Sequence, residues 1–387
     1  MKKVFALILA AMMVVTLFAG CGNTAEAPAA EGNVLKIGMT GPLTGPNAQY
    51  GLAVQHGIEI AVEEINAAAG ENGLKLEFQA QDDECDGEKA VSGYNVLKDW
   101  GMDVFIGTVT SGACNAVAPE AVADEMFLLT PSASSVDVAM AGASTFQMCF
   151  TDPNQGASAA EVVAANWADA AVGVIYDSSD DYSTGLFDGF MTKAAELGLN
   201  IVAETAFTGD TKADLSTQVN MCKDAGADLL FLPIYYTEAS QILTYANKIG
   251  FAPTYFGCDG MDGILAVEGL DLSLAEGLAL MTPFDANATD DATKSFVAKY
   301  QEKTGIVPNQ FAADAYDCVY AVYAACNAAG INGSEAASEI CAAMVAQFTT
   351  MTFDGLTGKG MSWDADGMIS KAPAAVVISN GIYVPMG

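Results

Sequence analysis

The amino-acid sequence of 387 residues contains no arginine and only one histidine, His56. Without arginine, the chain lacks the planar guanidinium group that holds phosphates, sulfates and dicarboxylates through two parallel hydrogen bonds. A single histidine leaves no multi-histidine zinc site and few groups for acid–base catalysis near neutral pH. These two shortages argue against metal-dependent hydrolases and against doubly anionic ligands.

Positive charge of any kind is scarce, because the fifteen bases are all lysine and face 48 aspartate and glutamate residues. The formal net charge of −33 would repel the phosphates of a nucleic acid, so we expect no nucleic-acid partner. The chain is 52% hydrophobic and 16% charged, which is typical of a folded protein rather than a disordered one. Its length fits two domains of ordinary size.

Sequence motifs of covalent and nucleotide chemistry are also missing. The chain has no G-x-S-x-G nucleophile elbow and no G-x-G-x-x-G after a predicted strand. The glycine-rich residues 355–360 lack the spacing of a phosphate-binding loop. We therefore expect a protein that is not an enzyme and that needs neither a metal nor a cofactor.

The first residues match an export signal. Lys2 and Lys3 precede an uncharged stretch of sixteen residues, which is shorter than the roughly 20 apolar residues of a membrane-spanning helix. The stretch runs into the sequence LFAGC, which ends at Cys21 and resembles the lipobox of bacterial lipoproteins. That resemblance implies that residues 1–20 are a signal peptide and that Cys21 is lipidated. Residues 21–33 would then be a flexible linker, and the body would be anchored at the outer face of the cell membrane.

From Val34 onward, short apolar runs alternate with segments in which apolar residues recur every three or four positions. The first predicted strand and helix are residues 35–39 and 50–69, and a later helix of this series is predicted at 115–123. A second series covers 161–257 and includes a helix at 186–197. A short strand at 351–353 and a terminal strand pair follow later. Parallel strands joined by helical crossovers need helices on both faces of the sheet. The sequence thus predicts an α/β protein with two doubly wound parallel-sheet lobes that are joined by short crossings.

The loops after the predicted strands have a distinctive composition. In open α/β sheets, ligands bind at the carboxyl ends of the strands, where these loops lie. Hydroxyl-rich loops at 107–112 and 130–135 belong to the first series, and the first of them leads into a helix N-terminus that favours a carboxylate. The second series contributes Tyr182, Tyr235 and Asp259. We expect hydroxyls of one lobe to face tyrosines and a carboxylate of the other.

Signatures along nearly the whole mature chain resemble the leucine/isoleucine/valine-binding family of type I periplasmic binding proteins, the solute-recognition subunits of ABC importers. The signatures are GPLTGP at 41–46, QYG at 49–51, DDECD at 82–86, Ser111, TPSAS at 130–134, Asp152 with QG at 155–156, TGDT at 208–211 with LS at 215–216, and Asp259-Gly260. The resemblance implies two lobes joined by three crossings. Its first lobe is residues 34–151 with 283–355, and its second lobe is residues 152–282 with 356–387.

The same resemblance implies a set of ligand-binding residues. The Ser111 hydroxyl and the amide and hydroxyl of Ser134 would take the carboxylate of an amino acid. The Ser132 carbonyl and the Asp259 carboxylate would take its ammonium group. The binding segment also includes Ala133, and the walls of the side-chain pocket would be Tyr50, Tyr182, Tyr235 and Phe311. The alternative is that the serines are only helix caps, Asp259 only a turn residue, Phe311 plain core, and the tyrosines only interface aromatics.

The chain departs from the family pattern at two places. Many members carry glutamate where this chain has the shorter Asp259. In members with a disulfide after the second strand, the partner of Cys85 falls at Thr110, which is no thiol; Cys114 is the nearest substitute, and a Cys85–Cys114 bond stays an open alternative. Thr110 also adds a polar wall to the expected pocket, so the ligand need not be purely aliphatic.

The function implied by the resemblance is extracytoplasmic capture of an α-amino acid, branched-chain or otherwise neutral, by closure of the lobes. A monomer would present the amino acid to a membrane permease driven by ATPase subunits. One alternative is a sensor that reports the amino acid to a receptor. A further alternative is an extracellular hydrolase that uses Asp259 and a nearby carboxylate such as Asp262.

Overall fold

The computed structural model of the protein describes residues 33–71 and 73–386. The predicted signal peptide, the predicted lipidation site Cys21 and nearly all of the predicted linker lie outside the described residues. Within the described part of the chain, no helix is long and apolar enough to cross a membrane.

The first sheet has five parallel strands in the order β2-β1-β3-β4-β5. These strands are β1 Val34–Gly41, β2 Lys75–Asp82, β3 Val104–Phe105, β4 Leu128–Thr130 and β5 Thr145–Gln147. The accompanying helices are α1 Ala48–Ala68, α2 Gly87–Trp100, α3 Ser111–Ala123 and α4 Val136–Met140. The β1 side chains of Leu35, Ile37 and Met39 are fully buried, as expected for a central strand covered by helices.

The second sheet has seven strands in the order β12-β11-β10-β9-β8-β6-β7. Its parallel strands are β6 Ala171–Asp177, β7 Asn200–Phe207, β8 Leu229–Leu232, β9 Thr254–Gly257 and β10 Ala279–Thr282. The last two strands, β11 Ala374–Ser379 and β12 Ile382–Pro385, are antiparallel. Its helices are α5 Asp152–Asn166, α6 Asp181–Leu197, α7 Ser216–Asp224 and α8 Tyr236–Lys248. The predicted class, α/β with two doubly wound lobes, is confirmed.

After β10, the chain returns to the first sheet through three helices, α9 Asp291–Thr304, α10 Gln310–Ala329 and α11 Ala337–Phe348. Helix α10 packs against α1 so closely that a Cβ atom at Gly57 would lie 2.2 Å from the Ala312 carbonyl oxygen. Only glycine permits this approach, and it places α10 against the first lobe, where Phe311 can reach the cleft.

A last crossing leads from the first sheet back to β11. The backbone amide of Gln147, at the edge of the first sheet, donates to the Gly367 carbonyl at 3.0 Å. The Trp363 indole donates to the Gln147 carbonyl at 2.7 Å, so this stretch packs on the first sheet. Lys371 follows as a buried cation paired with Asp314 at 2.5 Å. The lobe boundary between residues 355 and 356 remains a prediction, and these contacts favour a crossing nearer Lys371.

Some elements differ from those predicted. The expected strand at 351–353 is a single bridge between Phe353 and Met361. Strand β10 and helix α4 have no counterpart among the predicted elements. Several helices also begin earlier than their apolar periodicity indicates.

Candidate ligand-binding site between the lobes

A cavity of about 260 Å³ lies between the two lobes, at the carboxyl ends of the strands. It is lined by Tyr50, Val109, Thr110, Ser111, Ser132, Tyr182, Tyr235, Asp259, Gly260 and Phe311. Seven of the nine predicted ligand-binding residues are in this set. The other two, Ala133 and Ser134, are buried next to Ser132 without lining the cavity. The role of each residue toward a ligand remains a prediction.

The Ser111 hydroxyl stands at the N-terminus of α3, and its oxygen accepts hydrogen bonds from the Ser134 and Ser135 amides, both at 3.1 Å. Because two amides occupy the oxygen's lone pairs, the hydroxyl is left to act as a donor. The preceding Thr110 has an extended backbone, and its side chain does not cap the helix. The first turn of α3 therefore meets the cavity with N–H groups and one hydroxyl, which suits a carboxylate.

The loop after β4 is held rigid by its own hydrogen bonds. The Thr130 hydroxyl donates to the Thr108 carbonyl at 2.7 Å and accepts from the Ala133 amide at 2.9 Å. The Ser132 hydroxyl donates to the Val109 carbonyl at 2.7 Å. These bonds fix Ser132 before any ligand arrives. The Ser134 amide, which the family resemblance assigns to a ligand carboxylate, here donates to Ser111 instead, so its effect on a ligand would pass through that hydroxyl.

Asp259 follows β9 and carries the negative charge of the cavity. One of its carboxylate oxygens accepts from the Tyr182 hydroxyl at 2.7 Å and from the Gly260 amide at 2.9 Å. Burial raises the pKa of this carboxyl to about 6, so it is mostly ionised at neutral pH. No lysine is among the cavity-lining residues, so a bound ligand must supply the opposite charge.

Gly260 allows Tyr182 to reach Asp259. A Cβ atom at this glycine would lie 2.6 Å from the Tyr182 hydroxyl oxygen, which is closer than two unbonded atoms can approach. The short Asp259 side chain, with glycine beside it, thus makes room for the tyrosine that binds its carboxylate.

Aromatic rings enclose the rest of the cavity. Tyr182 and Tyr235 are stacked with ring centroids 5.0 Å apart, and Tyr50 lies 5.6 Å from Tyr235 and 4.8 Å from Phe311. The Tyr50 hydroxyl donates to the Gly260 carbonyl and accepts from the Tyr236 amide at 3.2 Å. Tyr50 belongs to the first lobe, so these bonds join the lobes directly above the cavity.

Further polar contacts across the cleft show that the lobes are closed. The Tyr236 hydroxyl donates to the Pro46 carbonyl at 2.9 Å. The side-chain amide of Asn115 donates to the Asp181 carboxylate at 2.7 Å. Since each bond joins a first-lobe residue to a second-lobe residue, none of them can form when the lobes are apart.

Several residues near the site were not assigned a role from the sequence. Val109 and Gly260 line the cavity. The sequence signal for Val109 is its place next to Thr110, whereas Gly260 belongs to the Asp259-Gly260 signature. Asp152 and Gln155 are fully buried, and neither side chain has a hydrogen-bond partner. Burial raises the pKa of Asp152 well above its usual value. The signature that contains both residues was visible in the sequence, but not their burial.

Asp262, considered as a second carboxylate for a hydrolase, does not line the cavity and instead binds Gln310. It is buried and accepts from the Gln310 amide at 3.1 Å and from the Gln310 side chain at 3.3 Å. Gln310 begins α10 in the first lobe, whereas Asp262 follows β9 in the second. The contact therefore links the lobes and gives Asp262 a structural role.

The open alternative of a Cys85–Cys114 disulfide is wrong for this structure. All eight cysteines in the described part of the chain are free thiols. Cys114 lies in the apolar core beside α2 and contacts the Gly107 carbonyl at 3.9 Å, whereas Cys85 faces the Asn47 amide at 3.8 Å. The two thiols have separate surroundings, so Thr110 is not replaced by a nearby disulfide partner.

Comparison with known proteins gives consistent matches. A family model described as periplasmic binding protein matches residues 34–381. A leucine-, isoleucine-, valine-, threonine- and alanine-binding protein of Pseudomonas aeruginosa is 27% identical over 79% of this chain and 82% of its own length. The chain is also similar to a solved leucine-binding protein of Thermotoga maritima, with 27% identity, a TM-score of 0.81, and coverage of 91% of this chain and 98% of the other.

A second solved structure is the substrate-binding protein of a branched-chain amino acid transporter from Streptococcus pneumoniae, in complex with isoleucine. It is 28% identical, has a TM-score of 0.80, and the match covers 91% of this chain and all of the other. These matches confirm the resemblance to the leucine/isoleucine/valine-binding proteins. The chain belongs to the periplasmic binding protein family, whose members bind solutes and are not enzymes.

Proposed function

We propose that the protein captures a neutral α-amino acid by closing its two lobes and delivers it to the permease of an ABC importer. The observation that carries this proposal is the pairing, in one closed cavity, of the Ser111 hydroxyl with the Asp259 carboxylate and no base. An α-amino acid carries the complementary groups, a carboxylate and an ammonium, on one carbon atom.

The carboxylate of the ligand would lie at the start of α3. The Ser111 hydroxyl, with both of its lone pairs occupied by amides, would donate to it. The N-terminal dipole of α3 favours the same negative charge. Ser134 and Ala133 would not contact the cavity directly but would hold Ser111 and Ser132 in place. The Ser134 hydroxyl has no hydrogen-bond partner and would be a second donor to the ligand carboxylate.

The ammonium group would lie against Asp259 and the Ser132 carbonyl. Burial raises the pKa of the Asp259 carboxyl, and the charge of Asp314 raises it further. An ammonium would relieve that repulsion and replace the missing counter-charge. Tyr50, Tyr182, Tyr235 and Phe311 would enclose the side chain of the amino acid.

Closure would be driven by contacts that only the closed state offers. A ligand shifts an equilibrium between open and closed lobes only through its different affinity for the two states. Ser111 lies in the first lobe and Asp259 in the second, so one α-amino acid would bind both only when the lobes meet. The names of the relatives support amino acids as ligands, because the Pseudomonas aeruginosa and Streptococcus pneumoniae proteins are named or solved with them.

Export and anchoring are a separate part of the proposal. Residues 1–20 would direct secretion, and lipidated Cys21 would hold the protein, as a monomer, at the outer face of the cell membrane. The acidic body would then lie close to its permease, tethered by residues 21–33.

Calorimetry on ligand-free protein tests the function. The protein is first unfolded, dialysed and refolded, and the released ligand is identified by mass spectrometry. Leucine, valine, threonine and alanine are then titrated, with the matching α-hydroxy acids as controls that lack only the ammonium group. We expect the α-hydroxy acids to bind roughly 10²-fold or more weakly, since they leave the Asp259 charge unpaired. Equal affinity for both series, or no binding of any amino acid, would overturn the proposal.

A further inference from the structure

Two hydroxyl groups of the cavity wall have no hydrogen-bond partner. The Thr110 hydroxyl oxygen and the Tyr235 hydroxyl oxygen are both buried, and neither has a partner within normal hydrogen-bond geometry in the protein. Thr110 as a whole is 6% exposed. Burying a hydroxyl without a partner costs free energy, so native proteins rarely leave one in that state. A polar partner supplied by a ligand would remove this cost.

The other hydroxyls of the wall are already engaged. The Tyr50 hydroxyl binds Gly260 and Tyr236, and the Tyr182 hydroxyl binds Asp259. The Ser132 hydroxyl donates to the Val109 carbonyl. Thr110 and Tyr235 are therefore the wall residues whose side-chain hydroxyls have no hydrogen-bond partner in the protein.

Both unpartnered hydroxyls belong to the wall of the same cavity. The Cys85 thiol neighbours Thr110, and burial raises the pKa of this thiol to about 12. The thiol is thus neutral, and this part of the wall carries hydroxyls rather than charge. Such a surface suits a neutral polar group, because a hydroxyl on the ligand can accept from one of the two groups and donate to the other.

The remaining wall of the cavity is apolar and the space is small. Val109, Phe311 and the ring of Tyr50 present carbon atoms to it. The space between the wall atoms, counted together with the open solvent at the cleft, is only about 260 Å³. A compact side chain with one hydroxyl and one methyl group would match both kinds of wall.

We propose that Thr110 and Tyr235 bind the side-chain hydroxyl of the ligand, so that the site prefers a small β-hydroxy amino acid, with threonine as the type, over its isostere valine. This inference rests on the proposed function and deepens it by naming the side chain. A site built to bind a hydroxyl rejects the analogue that lacks it, because the protein hydroxyls are then left unpaired.

The test compares threonine with valine by calorimetry in the wild type and in Thr110→Val, Thr110→Ser and Tyr235→Phe. We expect the wild type to prefer threonine by roughly 5- to 150-fold, the range for one buried hydrogen-bonding group. Thr110→Val and Tyr235→Phe should each shrink this ratio, and Thr110→Ser should keep most of it. Tyr176→Phe is a matched control outside the cavity, where Tyr176 stacks on Phe187, and should leave the ratio unchanged.

The ratio of the threonine and valine affinities is measured because a substitution with a merely structural effect would weaken the binding of both amino acids equally. Valine binding as tightly as threonine in the wild type would overturn the inference and leave the proposed function standing. A ratio that is unchanged in both Thr110→Val and Tyr235→Phe would also overturn it. If no amino acid binds at all, the proposed function fails and this inference fails with it. Thermal unfolding of each ligand-free variant verifies that it is folded, and Thr110→Ser and Tyr235→Phe keep the test decisive if Thr110→Val does not fold.

Discussion

Amino acid binding should depend on pH through Asp259. Burial raises the pKa of this carboxyl to about 6 in the closed, ligand-free structure. A bound ammonium group favours the ionised carboxylate, so binding should lower that pKa. Affinity should therefore be full above pH 6 and should decrease as the pH is lowered through 6, with one proton released for each ligand bound below that point.

The magnitude follows from the fraction of ionised Asp259. With a pKa of about 6, the carboxylate is almost wholly ionised at pH 8 and only about one tenth ionised at pH 5, so the dissociation constant should rise about tenfold. Asp259→Asn removes the charge at every pH. Loss of one partner of a buried ion pair costs about 3 to 5 kcal/mol, which is roughly a 10²- to 10⁴-fold loss of affinity.

Titration calorimetry between pH 5 and pH 8, in buffers with different ionisation enthalpies, measures both affinity and proton release. Other acids titrate in the same range: burial raises the pKa of Asp180 and of Asp314 to about 6, and Asp152 is raised further. Asp180 caps α6 through the Ser183 amide and does not line the cavity, so Asp180→Asn is a control that should keep the pH step. A flat affinity profile in the wild type, or a pH step that survives in Asp259→Asn, would refute this reasoning.

Three further predictions concern the ligand, the anchor and the fold. Glutamate and aspartate should bind far more weakly than leucine or threonine in a thermal-shift screen. The chain has no arginine to bind a second carboxylate, and Lys212 is already paired with Glu238 at 3.2 Å. A screen in which glutamate gives the largest stabilisation would contradict this. Cys21→Ser should release the protein into the medium or leave an unprocessed precursor, and membrane fractionation measures this. The lipid chain would contribute about 0.8 kcal/mol of membrane-binding free energy per buried CH₂. Unchanged fractionation would count against lipidation. The ligand-free protein should unfold at a higher urea concentration at pH 5.5 than at pH 8. The carboxyls of Asp83, Asp180 and Asp314 have pKa values of about 6 to 7 in the folded protein, above those of the unfolded chain, so their stabilisation of the fold is lost as the pH rises through that range. A urea midpoint that increases toward pH 8 would oppose this prediction.

Most strands and the apolar parts of the helices could be predicted from hydrophobic periodicity, although β10 was missed and the strand expected at 351–353 is a single bridge. The starts of the helices could not be predicted. Helix α3 was expected from Asn115 and begins at Ser111, and α6 was expected from Leu186 and begins at Asp181. Each first turn carries a residue of the cavity wall, Ser111 in α3 and Tyr182 in α6, and does not continue the apolar repeat of the rest of the helix. The periodic signal therefore begins only after the residues that form the site.

The members of the candidate site were accessible from the sequence because the loops after the strands converge on one edge of each sheet. Their hydrogen bonds were not accessible, because those depend on rotamers and on the relative position of the lobes. Ser134 was expected to donate its amide to a ligand, but its amide binds Ser111. Asp262, three residues after Asp259, was considered only as the second carboxylate of a hydrolase, and its link between the lobes through Gln310 was not foreseen.

The burial that raises the pKa of Asp259 also couples closure of the lobes to ligand binding. Raising the pKa of Asp259 from 3.8 to about 6 means that its ionised form loses about 3 kcal/mol on burial. Cross-lobe bonds from Tyr236 to Pro46 and from Asn115 to Asp181 favour closure with or without a ligand. About 5.5 kcal/mol of differential binding is needed to turn a state of 1% population into one of 99%. An ammonium group that cancels the Asp259 penalty would supply about half of that amount, and contacts to Ser111 and the cavity walls must supply the rest. A ligand without an ammonium group would bind Ser111 yet leave the lobes mostly open.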